Sequence, residues 1–148
     1  MKTLKLVLYV EDDPDIQLVA QMALEMVGGL TLRSCSSGKE AIAAAAECMP
    51  DLLLLDVMMP GMDGPSVLAA LRLLPNTATT PAIFMTAKVQ SSEVAYYKSL
   101  GALGVIAKPF DPMALSQQVR TMWENSGENS GESSGEQGGE QGGEQGAP

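Results

Sequence analysis

The sequence of 148 residues predicts one α/β domain built on a mainly parallel sheet. Three observations lead to this fold class. Five short apolar runs lie between residues 4 and 107, and several lack polar alternation, which is typical of strands that helices cover on both faces. Helical patterns separate the runs, and capping residues stand where those helices would begin. Strand–helix alternation of this kind favours right-handed crossovers and hence a parallel sheet.

Five segments are predicted as strands because each is a short apolar run bounded by turn residues or charges. In chain order they are Leu4–Val10, Leu30–Cys35, Leu52–Asp56, Ala82–Thr86 and Gly104–Ala107. The first run resembles the core of a signal peptide. It is short, however, and it leads directly into acidic residues without a small-residue cleavage site. We therefore expect a buried first strand.

Five helices are predicted from apolar residues that recur at helical spacing. Their apolar faces run from Ile16 to Val27, Ile42 to Met49, Val67 to Leu74, about Ser91 to Leu100, and Leu115 to Met122. The fourth pattern is the weakest. Pro14 and Pro112 each follow an aspartate, which suits an N-cap followed by proline at the first helical position. Ser37 and Glu40 suit a capping box at the second helix.

The composition changes abruptly at Glu124. From there 25 residues follow a four-residue repeat that begins with Glu, and they include neither Lys nor Arg nor any large apolar residue. Such a segment cannot bury a core, so we expect a domain of residues 1–123 and a disordered acidic tail of residues 124–148, rich in Gly, Ser and Gln. The net charge of the whole chain is −9, and that of residues 1–123 is −3. A solvated spacer is the favoured interpretation of the tail, and a docking segment is the alternative.

Composition and charge exclude several classes of function. The chain has no histidine, which excludes a Ser-His-Asp triad, a histidine base and an imidazole zinc site. Its 18 acidic and 9 basic residues repel phosphate backbones, so we expect no nucleic-acid partner. No apolar run reaches the roughly 18 residues of a membrane helix, so we expect no membrane association. Cys35 and Cys48 are predicted to be reduced thiols of a cytoplasmic protein.

Side chains with useful chemistry stand at the ends of four predicted strands. The first strand leads into Glu11–Asp13, the third ends in Asp56, the fourth ends in Thr86, and Lys108 follows the fifth. Ligands of an open parallel sheet bind beyond the carboxyl ends of its strands, so these groups can converge. Taken singly, each has an ordinary explanation as a cap or turn residue. Together, carboxylates without His or Cys ligands suit Mg²⁺, which would also relieve their mutual repulsion.

The motifs around these residues resemble the receiver domains of bacterial two-component response regulators. The resemblance covers about Leu4 to Trp123. The matching motifs are Val10-Glu-Asp-Asp-Pro-Asp15, Asp56-Val-Met-Met-Pro-Gly-Met-Asp-Gly64, Met85-Thr-Ala87 and Lys108-Pro-Phe110. The resemblance implies a flavodoxin-like fold, with a five-stranded parallel sheet in the order 2-1-3-4-5 and helices on both faces.

The resemblance also implies how the acidic residues divide their work. Asp56 would be the phosphoacceptor, supplied by a partner histidine kinase or histidine phosphotransfer protein. Asp12, Asp56 and the backbone carbonyl of Met58 would bind Mg²⁺ directly, and Glu11 would act through a metal-bound water. The chain would thus be a stand-alone phosphoacceptor that signals to a downstream protein by contact, and not an enzyme in the ordinary sense.

The remaining implied features concern the readout of phosphorylation. Thr86 and Lys108 would contact the phosphoryl oxygens, and the peptide bond before Pro109 would be cis. Receivers usually carry an aromatic residue three positions before the Lys-Pro pair, where this chain has Val105. A valine has no ring to rotate, so that readout is not available at this position. Tyr96 or Tyr97 of the fourth helix is an alternative reporter, although packing is the favoured role of either.

Three other interpretations stay open at the level of sequence. A receiver that is never phosphorylated is disfavoured by the complete set of site residues. A hydrolase with an aspartyl nucleophile, like those of the haloacid dehalogenase superfamily, is disfavoured because Met58 stands where a second aspartate would follow Asp56. A receiver cut from a longer regulator or hybrid kinase is the third, and the tail would then be a linker.

Overall fold

Five parallel strands form one sheet in the order β2-β1-β3-β4-β5, which confirms the predicted fold class. The computed structural model describes residues 3–133, and the side chains of residues 3–126. The strands are β1 (Leu6–Val10), β2 (Thr31–Cys35), β3 (Leu52–Asp56), β4 (Ala82–Thr86) and β5 (Gly104–Ala107). The helices are α1 (Pro14–Met22), α2 (Gly38–Ala45), α3 (Gly64–Leu71), α4 (Ser91–Ser99) and α5 (Leu115–Ser133), and a π-helical segment (Ala23–Val27) continues α1.

Helices cover both faces of the sheet, as the unbroken apolar runs of the strands predict. Every residue of β3 and β4 is buried. On one face Leu8 and Val10 pack with residues of α2, α3 and α4, and on the other Val7 and Tyr9 pack with residues of α1 and α5. Each large apolar side chain that is fully buried in this way contributes roughly 1.5–3 kcal/mol to the free energy of unfolding. The core therefore holds the strand ends in fixed register.

Side-chain caps begin three of the helices. The Asp13 carboxylate accepts a hydrogen bond from the Asp15 backbone N–H at 2.9 Å, as predicted for α1. Ser37 Oγ accepts from Glu40 N at 3.1 Å, and Glu40 Oε1 accepts in return from Ser36 N at 2.8 Å. Asp63 caps α3 through Ser66 N at 2.9 Å. Each cap contributes about 1 kcal/mol.

The start and the end of α5 differ from the sequence prediction. Asp111 caps a turn through Met113 N at 2.9 Å, and α5 begins only at Leu115, so Pro112 is not its first residue. The helix then continues past Trp123 to Ser133, because adding residues to a formed helix needs no new nucleation. The predicted start of the disordered tail at Glu124 therefore falls inside α5, and residues 134–148 lie outside the described residues.

The π-helical segment closes the edge of the sheet beside β2. Glu25 in this segment accepts a hydrogen bond from the Leu32 backbone N–H at 3.2 Å and another from Gln21 Nε2 at 3.3 Å. Gly28 follows the segment, and a Cβ there would lie 2.5 Å from Ser116 Cβ of α5. The close approach of the two helices thus requires glycine at this position.

Candidate functional site

Strand order and register bring the predicted acidic residues together at the carboxyl edge of the sheet. Val10 pairs with Leu55, so the residues that follow each of them, Glu11 and Asp56, lie side by side. Carboxylate oxygens of Glu11, Asp12 and Asp56 all lie within 4.8 Å of one another. Glu11 is 1% exposed and Asp56 is 2% exposed, whereas Asp12 is exposed. The three residues form an acidic cluster that could hold a metal ion.

Lys108 reaches this cluster from the end of β5 and bridges its two buried carboxylates. The Lys108 ammonium donates to Glu11 Oε1 at 2.9 Å and to Asp56 Oδ1 at 3.1 Å. The Lys108–Pro109 peptide bond is cis, as the family resemblance implies. The contact therefore joins residues from three separate strand ends into one site.

The charges of the cluster act on the protonation of its members and its neighbour. Burial raises the pKa of Glu11, and the nearby Asp56 charge adds to that effect, while Lys108 and the Asp13 backbone N–H oppose it. Burial lowers the pKa of Lys108, but the hydrogen bonds to Glu11 and Asp56 outweigh it and leave that pKa above its usual value. The hydroxyl of Tyr9 is buried without a hydrogen-bond partner among residues 3–133, and burial followed by the Glu11 charge raises its pKa. The site therefore carries an excess of negative charge that a cation would neutralise.

Thr86 at the end of β4 and Met58 on the loop after β3 lie at the same edge of the sheet as the acidic cluster. Thr86 is 2% exposed at the end of β4, and its hydroxyl accepts a hydrogen bond from Lys88 N at 3.1 Å. The Met58 side chain is 68% exposed on the loop that leaves β3. All the residues predicted for the site thus lie at the same edge of the sheet.

Two further residues support the site: Gly64, which ends the second of the motifs quoted above, and Gln17, which no motif contains. Gly64 begins α3 directly behind the phosphoacceptor candidate, and a Cβ there would lie 2.7 Å from the Asp56 carbonyl oxygen. Gln17 Nε2 donates to the backbone carbonyls of Glu11 and Cys35, at 3.1 Å each. Both act on backbone atoms of other elements, so the local sequence pattern does not show these contacts.

The fold and this site define a class: a doubly wound α/β domain with a buried acidic cluster and a bridging lysine at the carboxyl edge of its parallel sheet. Residues 7–120 match the family model of the response regulator receiver domain. The chain belongs to this family, and it is a receiver domain of the two-component systems. The family is one of response regulators and not of classical enzymes.

Known relatives and structures place the chain among response regulators. The transcriptional regulatory protein CseB of Streptomyces avermitilis is 35% identical over 121 residues, which are 82% of this chain and 50% of that protein. The DNA-binding response regulator MtrA of Mycolicibacterium smegmatis is 35% identical over 114 residues, or 77% of this chain and 48% of that protein. The chemotaxis response regulator CheY4 of Vibrio cholerae superposes with a TM-score of 0.74 at 28% identity, covering 81% of this chain and 99% of CheY4. The chain thus spans about half the length of the first two relatives and nearly the whole of the third.

These relatives correct the prediction that nucleic acid is excluded as a partner. CseB is a transcriptional regulatory protein and MtrA is a DNA-binding response regulator, and both share the receiver portion with this chain. The charge argument fails because the net charge of a receiver domain describes only what that portion attracts. About half of the length of each of these two regulators lies outside the match. Within residues 3–133, none of the helices combines the length and the apolar character needed to cross a membrane.

Proposed function

We propose that this receiver domain accepts a phosphoryl group on Asp56 from the phosphohistidine of a partner kinase or phosphotransfer protein. The observation that carries the proposal is the position of Asp56, which is buried among the acidic cluster with Oδ1 3.1 Å from Lys108 Nζ. Burying several carboxylates together is unfavourable without a compensating cation. A purely structural role for Asp56 would not require the other two acidic residues beside it.

The acidic cluster fits Mg²⁺ by the chemistry of its donors. Its carboxylate oxygens lie within 4.8 Å of one another, and Mg²⁺ prefers oxygen ligands with several waters retained. Asp12, Asp56 and the Met58 carbonyl would hold the ion, and Glu11 would hold one of its waters. The bound ion would neutralise negative charge on the transferring phosphoryl group.

The chain's own residues would supply the nucleophile and a fixed positive charge. An Asp56 carboxylate oxygen attacks phosphorus while the P–N bond to the donor imidazole breaks, and the bonding electron pair leaves with the imidazole, which is then protonated. The Lys108 ammonium, which already contacts Asp56, stabilises charge on the phosphoryl oxygens. Positioning and electrostatics of this kind provide most of the catalysis in phosphoryl transfer.

At the upper end of their range, the new contacts supply the energy of a complete conformational switch. A charge-assisted hydrogen bond contributes about 1.5–3 kcal/mol, so bonds to Thr86 and Lys108 together give roughly 3–6 kcal/mol. Moving a two-state equilibrium from 1:99 to 99:1 takes about 5.5 kcal/mol. Because Val105 cannot serve as a rotating ring, α4 is the element through which we propose that the change is reported. Its buried Tyr97 packs on Phe84 with ring centroids 5.2 Å apart, two residues before Thr86.

Acetyl phosphate or beryllofluoride added with Mg²⁺ tests the proposal, with modification read by mass spectrometry or NMR. We expect site-localised modification at Asp56, none in Asp56→Asn, and none in Asp12→Ala, although both variants stay folded. Asp15→Ala is the matched control, because Asp15 is an exposed acid of the same segment outside the acidic cluster. A wild-type protein that stays unmodified would instead indicate a receiver that is never phosphorylated. Normal modification of Asp12→Ala would overturn the metal assignment.

The same proposal sets the location and the output of the domain. A phosphohistidine donor is charged by ATP, so the reaction belongs in the cytoplasm. CheY4 is a chemotaxis response regulator and MtrA a DNA-binding one, which shows that receivers like this one serve different outputs. We propose that the phosphorylated domain acts by altering its contacts with the next protein or domain in its pathway.

A further inference from the structure

Gln17 holds the loop that carries the acid pair, and we propose that it is a positioning residue for Mg²⁺ binding at the acidic cluster. The inference rests on the proposed function, because it assigns a role toward the metal of that site. Gln17 lies on the first turn of α1, half-buried against the ends of β1 and β2. The hydrogen bonds of its side chain go to backbone carbonyls and not to the carboxylates of Asp12 or Asp56, so its action on the metal site is indirect.

The hydrogen bonds of Gln17 bracket Asp12 from both sides. Its Nε2 donates to the Glu11 backbone carbonyl at 3.1 Å, and its own backbone N–H donates to the Asp13 carbonyl at 2.9 Å. Glu11, before Asp12, is therefore held by the Gln17 side chain, and Asp13, after it, is held by the Gln17 backbone in the first turn of α1. Asp12 itself is exposed, so packing does not hold its carboxylate. Its direction depends on the backbone that Gln17 holds.

A second set of contacts ties this loop to the neighbouring strand. The same Nε2 donates to the Cys35 carbonyl at 3.1 Å, and Cys35 O also accepts the backbone N–H of Glu11 at 3.0 Å. One amide group thus joins the ends of β1 and β2 where the sheet stops. A side chain without two N–H donors at this position would leave two carbonyls without that partner and release the loop.

Residues that orient metal ligands from behind typically change metal affinity by 10–100-fold when removed. Gln17 orients Asp12 through the backbone and not through a direct contact, so we expect the lower end of that range. In Gln17→Met, which keeps the length and removes both donors, the Kd for Mg²⁺ should rise about tenfold. Gln17→Arg again supplies N–H donors at this position and should return the hydrogen exchange of the Glu11 amide in the metal-free protein toward the wild-type rate.

The experiment compares these variants by Mg²⁺ titration, followed by NMR or calorimetry well below the Tm of each protein. Gln21→Met is the matched control, because Gln21 lies one turn along α1 and its Nε2 bonds only to Glu25 among the contacts described above. Hydrogen exchange of the Glu11 amide in the metal-free protein gives a second readout. Exchange of the Glu11 amide should be faster in Gln17→Met and unchanged in Gln21→Met. Only the first variant loses the side-chain hydrogen bonds that join the ends of β1 and β2.

The outcomes separate this inference from the proposed function. If the wild-type protein binds Mg²⁺ and Gln17→Met binds it within twofold of the wild type, the positioning role is overturned and the proposed function stands. If Gln17→Met loses affinity while its Glu11 amide exchanges no faster than in the wild type, loosening of this loop is not the cause and the inference is also overturned. If the wild-type protein binds no Mg²⁺, the proposed function fails and the inference fails with it.

Discussion

The tightest constraint around the candidate site is the absence of a side chain at Gly64. A Cβ at this position would lie 2.7 Å from the Asp56 carbonyl oxygen and 3.0 Å from Val57 Cα. Both neighbours are backbone atoms at the end of a fully buried strand, so neither can yield without moving the strand. Gly64→Ala should therefore displace the backbone that carries the phosphoacceptor candidate.

The magnitude follows from two opposing effects. Forcing extra volume into a packed site costs about 1–3 kcal/mol. Replacing glycine by alanine also narrows the unfolded ensemble, which offsets about 0.4–1 kcal/mol of that cost. We expect a net loss of roughly 1–2 kcal/mol in the free energy of unfolding, which lowers Tm by about 4–8 °C for a domain of this size.

Thermal unfolding followed by circular dichroism measures this loss, with Gly104→Ala as the matched control. A Cβ at Gly104 would meet Met122 Sδ at 3.1 Å, the middle of a flexible side chain that can move aside. That variant should lose clearly less stability than Gly64→Ala, because a flexible side chain and not the backbone has to move. An equal Tm for Gly64→Ala and the wild type would refute the argument, and so would equal losses in the two variants.

Three further predictions concern two exposed side chains beside Asp56, the C-terminal segment and a buried thiol. Met58 and Lys88 are exposed on the two loops beside Asp56. The double variant Met58→Asn with Lys88→Glu should lose its phosphoryl group at least several-fold faster, since each roughly 1.4 kcal/mol removed from the hydrolysis barrier is tenfold in rate. An unchanged decay of isolated phosphoprotein in Mg²⁺ buffer would contradict this. Truncation after Ser133, where α5 ends, should leave Tm and phosphoacceptance unchanged within the small effects of surface changes, and a large loss of either would show that the removed segment docks on the domain. Burial raises the pKa of Cys35 to about 11, which lowers the thiolate fraction near pH 8 about 100-fold relative to an ordinary thiol. Iodoacetamide reacts with the thiolate, so it should modify Cys35 only after the protein unfolds. Rapid labelling of Cys35 in the native protein would contradict its burial.

The strands were predictable because burial on both faces leaves a strong local signal. The prediction for β3 matches the structure from Leu52 to Asp56. The predicted strands began at Leu4 and Leu30, before the observed starts of β1 and β2. Both leucines are buried, at 4% exposed each, but they lie outside the strands. Apolar sequence reports burial, whereas strand bounds depend on pairing with a neighbour, and that information is not local.

The same distinction explains what the sequence shows of the site. Strand ends place Asp56 and Lys108 at one edge of a parallel sheet, so their proximity could be expected before any distance was known. The support from Gln17 and Gly64 depends on which backbone atoms approach them from other elements. The end of α5 was placed too early, because the apolar pattern stops at Trp123 while backbone hydrogen bonding continues to Ser133.

The Glu25 carboxylate covers part of the unpaired edge of β2, and it limits how two copies of this domain can associate. An edge strand offers unpaired N–H and C=O groups that another chain can extend into a longer sheet, which is a common route to aggregation. Glu25 already accepts the outward N–H of Leu32, and its charge would be stranded against an incoming backbone carbonyl. Strand addition at this edge would have to break that bond first. Growth of the sheet from one molecule to the next is therefore opposed here, and association through helices avoids that penalty.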